Sequence, residues 1–600
     1  MCGFLGSATF NRISEDTIES CNERIECRGP DEKVIISNKN FKSSKLFHNL
    51  IFNRLSIIDL SNKASQPMYS EEFNTLIMFN GEIFNHGELR KELEKNNLRF
   101  NSSHSDTETL LLGLSFYGLE FLDHINGQFS IFFYDIKNNE YYLIRDRAGQ
   151  KPLYFSIDTN GFYFGSDLLS IQNLSNNYEI NEEQIVNYIN FGTSITPNTF
   201  YKKISSVNSG EFVKVSFNKD KFSVEKKKYW YLPSFINEKK FIEEEFIDLF
   251  EDSVKKRLES DVPVSNFLSG GLDSTAVIKA IKENRDNINT FSMVTNSKKY
   301  NESEFMEQVK KKYDTNHIYE TIDKDIPFEE IKSIILGYDD IIYDPSIIPT
   351  FILSNKISKK FKVALSGDGG DELLSGYEHY GNFYKTKRYP EGLISFLFNY
   401  YPANFGSGNN ILKNSSNWKV AFSSYYGDEK LMKLLKIENH LSFDEIYLQN
   451  KEENWKSLMI TDFDFFLNEM MLKKIDRSSM LNSLEVRSPF LDHRLFEYVV
   501  GHNNLNNNGQ YSSKKIIKKY LSSDFDRNFL DRKKMGFSID INKLVNNNKK
   551  EIIDTINFSV LGDLVDLSRI KNLLQINTRM NALRIWKLYS ISLYLEKNKN

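Results

Sequence analysis

The chain has only three cysteines in 600 residues, no apolar run approaching the ~18 residues of a membrane span, and a net charge of only -4. The near balance of 77 basic and 81 acidic residues removes the electrostatic case for nucleic acid or an anionic membrane surface. Cys2, Cys21 and Cys27 all fall within the first thirty residues, too few and too clustered for a disulfide scaffold. They fit a reducing cytoplasm. The opening MCGFLGSATFNRISED has no basic region and only a short apolar stretch, so no secretory signal is expected. The apolar segment GLISFLFNYYP (Gly392–Pro402) is too short to span a membrane and reads as a buried helix. No internal repeat is present.

The chain does have length and apolar mass. Six hundred residues exceed what one core usually holds, and 40% hydrophobic with 14% aromatic residues suffice for packed domains. The first 220 residues alternate β-branched and aromatic runs with Asn-rich turns. NTLIMFNGEIFN, FSIFFYDIKNNEYYLIRDR and KPLYFSIDTNGFYFGSD read as strands, and Asn160-Gly161 marks a hairpin. HGELRKELEKNN and DTETLLLGLSFYGLEFLDHI read as helices packed on those sheets. VEKKKYW (Val224–Trp230) reads as an exposed edge or linker. Beyond about residue 240, amphipathic helices alternate with the short apolar strands VPVSNFL, NTFSMV and FKVALSG. That pattern belongs to a parallel α/β sheet. After Asp371 the chain reads as mostly helical.

FLSGGLDSTAV (Phe267–Val277) follows one of these strands and opens a helix, where free amides and the helix dipole favour an anion. Ser269, Gly270, Gly271 and Ser274 can cradle a pyrophosphate. Asp273 suits that place only with Mg²⁺ between it and the phosphates. No lysine follows, so this is not the G-x-x-x-x-G-K-[ST] loop. VALSGDGGDELLSGY (Val363–Tyr377) is a second strand running into glycines and acids. Adjacent strand ends would bring Asp273 and Asp371 together to share a metal. Helix capping alone accounts for the acids but not for three glycines.

With MLKKIDRSSMLNSLEVRSPFLDHR (Met471–Arg494) and RKKMGF (Arg532–Phe537), these elements resemble the glutamine-hydrolysing asparagine synthetases. The resemblance implies an ATP-dependent acyl-adenylate, pyrophosphate release and displacement of AMP by ammonia. It implies that Phe267, Leu268, Met293, Ser366 and Gly367 line the nucleotide and that Asp273 and Asp371 hold Mg²⁺. Asp368 matches the acid linked to formation of the adenylate, standing where many members carry Glu. Lys534 matches the lysine that neutralises charge on the departing pyrophosphate.

The same resemblance gives Cys2 a role. Removal of Met1 would leave a thiol beside a free α-amine, and an amine of pKa roughly 7.7–8.0 is a suitable base. FNGEIFN (Phe79–Asn85) offers the Asn80 side chain and the Gly81 amide to an oxyanion. Arg54, in NRLSIIDL, offers its planar fork to a glutamine α-carboxylate, and Glu82 and Asp106 offer carboxylates to its α-ammonium. Taken singly, these are a turn, a surface ion pair and a helix N-cap. Taken in order with RGPDE, QPM and RDRAGQKPLYF, they resemble a class II glutamine amidotransferase of the N-terminal nucleophile type.

The expected architecture is therefore an α+β αββα sandwich over residues 2–220, followed by an α/β ATP-pyrophosphatase domain with helical additions over 240–600. The expected ligands are glutamine, aspartate, ATP and Mg²⁺, without nucleic acid or membrane, and a homodimer is the assembly entertained. Three rivals share parts of this pattern. One is an amidotransferase of the same build acting on a uronic acid sugar. The second is a regulatory binder without turnover, against which the intact Cys2, Asp273, Asp368 and Lys534 argue. The third is a plain glutaminase, for which the second half would be superfluous.

Overall fold

The computed structural model describes residues 2–41, 45–295, 302–322, 326–377, 379–381, 389–437, 440–449, 451–452, 454–503, 514–532, 539–559, 561 and 567–597, apart from 401–416. The N-terminal half contains β1 (Cys2–Thr9), β2 (Glu32–Lys39), β3 (Phe47–Arg54), β4 (Met68–Ser70), β5 (Thr75–Ile83) and β6 (Gly127–Asp135). It continues through β7 (Glu140–Arg145), β8 (Tyr154–Ile157), β9 (Gly161–Gly165), β10 (Ile204–Ser206), β11 (Glu211–Asn218) and β12 (Lys221–Lys228). One antiparallel sheet has the order β10-β8-β9-β1-β3-β2 and the other β12-β11-β7-β6-β5-β4.

The two sheets stack face to face. Phe132 of β6 and Phe164 of β9 meet with ring centroids 4.0 Å apart, inside a core that also holds Phe4, Phe52 and Met78. Helices Glu15–Glu26 and Leu168–Ser175 cover the outside of the first sheet, and His86–Lys95 and Asp106–Tyr117 cover the second. This is the expected αββα order. With both faces covered, every residue of β1 and of β5 is buried. The lysine-rich β12 lies at an edge with its side chains exposed, a placement that discourages further strand pairing.

The linker pairs β13 (Lys239–Lys240) with β19 (His502–Asn503). The C-terminal half is built on β14 (Val264–Phe267), β15 (Asn289–Thr295), β16 (Asn316–Ile322), β17 (Val363–Leu365) and β18 (Glu485–Arg487). All neighbours are parallel, in the order β16-β15-β14-β17-β18. β16 and β18 were not legible as strands in the sequence. The short Glu485–Arg487 takes its conformation from pairing with β17, a long-range contact that overrides local preference. GLISFLFNYYP does form a helix, Glu391–Tyr400, but the expectation of burial fails. Among its described side chains Ile394 is buried, whereas Leu393, Phe396, Leu397 and Tyr400 are exposed. No described helix is long and apolar enough to cross a membrane.

The halves share one core cluster, which runs from Leu5, Ile18 and Tyr188 to Ile335, Trp586 and Tyr594. They are also joined by buried ions. Asp476 receives Arg28 at 2.9 and 3.2 Å and Lys151 at 3.4 Å. Against the cost of burial, those cations bring the Asp476 carboxyl down to about 2. A depressed carboxylate stabilises the fold above its unfolded value, so this contribution is complete above about pH 4 and lost as pH falls toward 2. Asp476→Ala should destabilise the protein by about 3–5 kcal/mol by stranding two buried cations. A denaturation midpoint equal to wild type would exclude that role.

Candidate functional site

The first site is fixed by strand register. β1 pairs with β3 so that Cys2 lies opposite Arg54, which puts thiol and guanidinium at one end of the same sheet. β5 of the facing sheet supplies Asn80, Gly81 and Glu82 as consecutive residues. The Cys2 nitrogen donates to Asn80 Oδ1 at 3.1 Å. Asn80 Nδ2 faces Ser130 Oγ at 3.4 Å, so its donor is only weakly engaged. Gly81 has φ +155°, and a Cβ there would fall 2.0 Å from the Gln128 carbonyl oxygen. Only glycine fits.

Burial pushes the Cys2 thiol up, against the chain's terminal positive charge, the Leu55 amide and Arg54. A thiol held neutral in this way needs a base to become a nucleophile. Arg54 is buried and donates to the Ser61 carbonyl at 3.1 Å and the Asp59 carbonyl at 2.5 Å, which orients its fork. Asp106 is not the N-cap of its helix, the ordinary role such an acid would have taken singly. Ser105 caps the helix, and Asp106 begins it, accepting from the Ile83 amide at 3.3 Å. That bond turns its carboxylate back toward β5. Burial raises Asp106, and it raises Glu82 well above the carboxylate range despite Arg487 at 3.1 Å. Two buried acids beside one another form a receptor for a small cation.

The second site lies at the carboxyl ends of β14 and β17. The strand order reverses between them, since β14 leads outward to β15 and β16 on one side while β17 and β18 lie on the other. α/β sheets bind ligands at such a crevice. Gly271 caps the helix Leu272–Lys282, and the hydroxyls of Ser269 and Ser274 close the turn at 3.0 Å. A cavity of about 990 Å³ opens above it. Phe267, Leu268, Ser269, Asp273, Ser274, Met293, Ser366, Gly367, Asp368 and Asp371 line it. Gly270, at φ +74°, and Gly271 shape the turn without lining the cavity. Lys534 lies outside the described residues.

The glycines of SGDGG now have a reason. A Cβ on Gly367 or Gly370 would come within 2.8 Å of Asp273, and Gly369 takes φ +86°. They let the β14 helix and the β17 loop touch. Asp273 and Asp371 are joined by a residue the sequence reading missed. Lys514 Nζ is bonded to Asp273 and lies 2.6 Å from Asp371 Oδ1. Within the run SSKKIIKKY, its position beside other lysines concealed it. Two carboxylates closed on an ammonium are hard oxygen donors gathered around positive charge. That donor set suits Mg²⁺ when phosphate oxygens complete the shell. Among the described residues no cluster of three or more His, Cys, Asp or Glu side chains is arranged for a metal, so phosphate would have to supply the rest.

Comparison with known proteins follows the same division. Residues 245–596 match the asparagine synthase family, and residues 1–230 match the glutamine amidotransferase domain. Asparagine synthetase (glutamine-hydrolyzing) 1 of Bacillus subtilis (strain 168) is 30% identical over 586 residues, covering 93% of this chain and 90% of that protein. Putative asparagine synthetase (glutamine-hydrolyzing) 2 of Methanocaldococcus jannaschii is 34% identical over 408 residues, covering 64% of this chain and 77% of that protein. Asparagine synthetase (glutamine-hydrolyzing) 3 of Bacillus subtilis is 27% identical over 622 residues, covering 96% and 93%.

Proposed function

The chain belongs to the asparagine synthase family, and from that membership we propose how its two sites make asparagine from aspartate, glutamine and ATP. The observation that carries the reading is that both sites stand in one chain, each with its chemistry-bearing residues gathered. The glutaminase unit is placed in residues 2–220 and the synthetase unit in 240–600.

In the first unit, with Met1 removed, the Cys2 α-amine takes the thiol proton and sulfur attacks the glutamine carboxamide. The nitrogen is held by Asn80, so base and nucleophile belong to one residue with a fixed backbone. Asn80 Nδ2 and the Gly81 amide take the oxyanion, Arg54 the α-carboxylate, and Glu82 with Asp106 the α-ammonium. Ammonia leaves, and water hydrolyses the thioester to glutamate.

In the second unit the aspartate β-carboxylate attacks the ATP α-phosphate and pyrophosphate departs into the Ser269–Ser274 turn. Lys514, and Lys534 by its place in the family motif, meet the charge that accumulates there. Asp273 and Asp371 would hold Mg²⁺, which would supply further positive charge for the pyrophosphate. Ammonia then displaces AMP from the acyl-adenylate beside Asp368.

A cavity of about 20 Å³ lies between the units. Gln128, Gln150 and Lys151 line it from the N-terminal half, and Ser366, Asp368 and Val486 from the other. Its size suits one small molecule, and its place between the units supports an interior route for ammonia.

The test is direct. With ATP, Mg²⁺ and glutamine or ammonia, aspartate should yield asparagine, AMP and pyrophosphate. Pyrophosphate release triggered by a uronic acid and not by aspartate would transfer the assignment to that acceptor and leave the glutaminase chemistry standing. The raised carboxyls add a pH signature. Glu82 and Asp106 hold an ammonium only when ionised, so the glutaminase kcat/KM for glutamine should fall on acidification at a pH above the ordinary carboxylate range. A profile flat to about pH 4 would exclude them as the ammonium receptor.

A further inference from the structure

The short strand β18 stands at the edge of the C-terminal sheet and pairs only with β17 there. Its last residue, Arg487, is fully buried, and its guanidinium is committed in four directions. Nη2 donates to Glu82 Oε2 at 3.1 Å, across the boundary between the halves, and Nε donates to Glu485 Oε1 at 2.5 Å. Nη1 donates to the carbonyls of Arg257 and Glu259 at 3.0 and 2.6 Å.

The backbone that carries Arg487 holds the loop after β17. The Arg487 carbonyl accepts from the Ser366 amide at 2.9 Å. Ser488 Oγ donates to the Asp368 carbonyl. The Arg487 side chain is therefore bonded to an acid of the first site, and its own main chain and the next residue to two residues that line the cavity of the second. Arg28 and Lys151 also cross the boundary, but both end on Asp476, within a helix.

Charge sets the direction in which such a connection acts. Burial pushes both Glu82 and Glu485 up. The terminal positive charge and Arg487 overcome this for Glu485, whereas Glu82 stays well above the carboxylate range. Glu82 is thus the acid short of positive charge. An ammonium arriving beside Glu82 and Asp106 favours the ionised form of Glu82. Ionisation adds Coulomb attraction to its hydrogen bond with the guanidinium. The incoming ammonium tightens the Glu82–Arg487 pair instead of replacing it.

Resting on the reading above, we propose that Arg487 and Ser488 are positioning residues that couple the two sites, so that glutamine in the first favours the loop arrangement that receives ATP in the second. The two states are β18 drawn onto Glu82 with Ser366 and Asp368 fixed against it, and β18 released from that grip. By linkage, ATP favours glutamine to the same extent. Glutamine is then bound best when nucleotide is present, which limits hydrolysis that feeds no acceptor.

The test uses Cys2→Ala protein, which binds glutamine without hydrolysing it, and ATP with Mg²⁺ but without aspartate, so that neither ligand is consumed. Equilibrium dialysis gives the Kd of labelled glutamine with and without saturating ATP, and the Kd of ATP with and without glutamine. Both ratios should show the same tightening, by about fivefold or more. In that background Arg487→Lys keeps the charge but cannot hold two carboxylates and two carbonyls at once. It should bring both ratios to within about twofold of unity, with the Kd of ATP alone moved by less than about twofold. Ser488→Ala leaves the Glu82–Arg487 pair in place and should lower the ratios equally, with the Kd of glutamine alone unmoved. The double variant should lose no more than either single one, as expected of residues in one connection.

Ratios near unity before either substitution overturn the proposal, and so does a coupling that survives either of them. Weaker binding with unchanged ratios would make Arg487 structural only. Should Arg487→Lys fail to fold, Ser488→Ala decides. Protein that binds no glutamine or no ATP defeats the functional reading itself. Binding of both ligands, each indifferent to the other, defeats only the coupling.

Discussion

Cys2→Ala should abolish glutamine-dependent asparagine synthesis, by at least about 10³-fold, and leave ammonia-dependent synthesis within about twofold of wild type. The loss is large because no other described cysteine can substitute. Cys21 is fully buried under the helix Leu168–Ser175, and burial pushes its thiol up to about 12. Removing a covalent nucleophile leaves only the residual effect of binding and oxyanion donors. The ammonia reaction is spared because the residues proposed for adenylation stand at and after β14 and β17 of the other half. Supplying both nitrogen donors to the purified variant, with asparagine as readout, decides the matter. Equal loss with glutamine and with ammonia would mean that one site serves both reactions.

The second large effect divides the molecule the other way. Asp368→Ala should eliminate pyrophosphate release with either nitrogen donor while glutamine hydrolysis persists. Asp368 lines both the large cavity above the β14 turn and the small cavity between the halves. Ser488 holds its carbonyl, which fixes the loop independently of the carboxylate. The substitution therefore removes a charge without releasing the backbone. The nucleotide product tests the cleavage position in the same assay. AMP with pyrophosphate is expected, since the helix N-terminus at Gly271 would receive the departing pyrophosphate. ADP as the product would refute the adenylate.

Strand and helix periodicity made most of this architecture readable before any coordinates. The hairpin at Asn160-Gly161, the lysine-coated edge strand and the three parallel strands behind Phe267, Met293 and Leu365 all stand where their residue patterns place them. Patterns of that kind are local, and local steric and solvation preferences survive folding. The misreadings have one cause. β18 exists because β17 pairs with it, and the exposed side chains of Glu391–Tyr400 cannot be inferred from its own apolar content. Each depends on residues distant in the chain.

The sequence by itself determined which chemistries were present: a thiol at position 2, an Asn-Gly pair for an oxyanion, and two glycine-rich turns able to hold phosphate. Residue type decides such capacities, because donor, acceptor and nucleophile are properties of the side chain alone. Only the tertiary structure decided which of these groups meet. Register set Arg54 across from Cys2, the reversal of strand order set Asp273 beside Asp371, and packing within the C-terminal half brought Lys514 between those acids. Distance is not encoded in any short stretch of sequence. It follows from burying two sheets and their helices against one another at once, and that burial turns scattered capacities into sites.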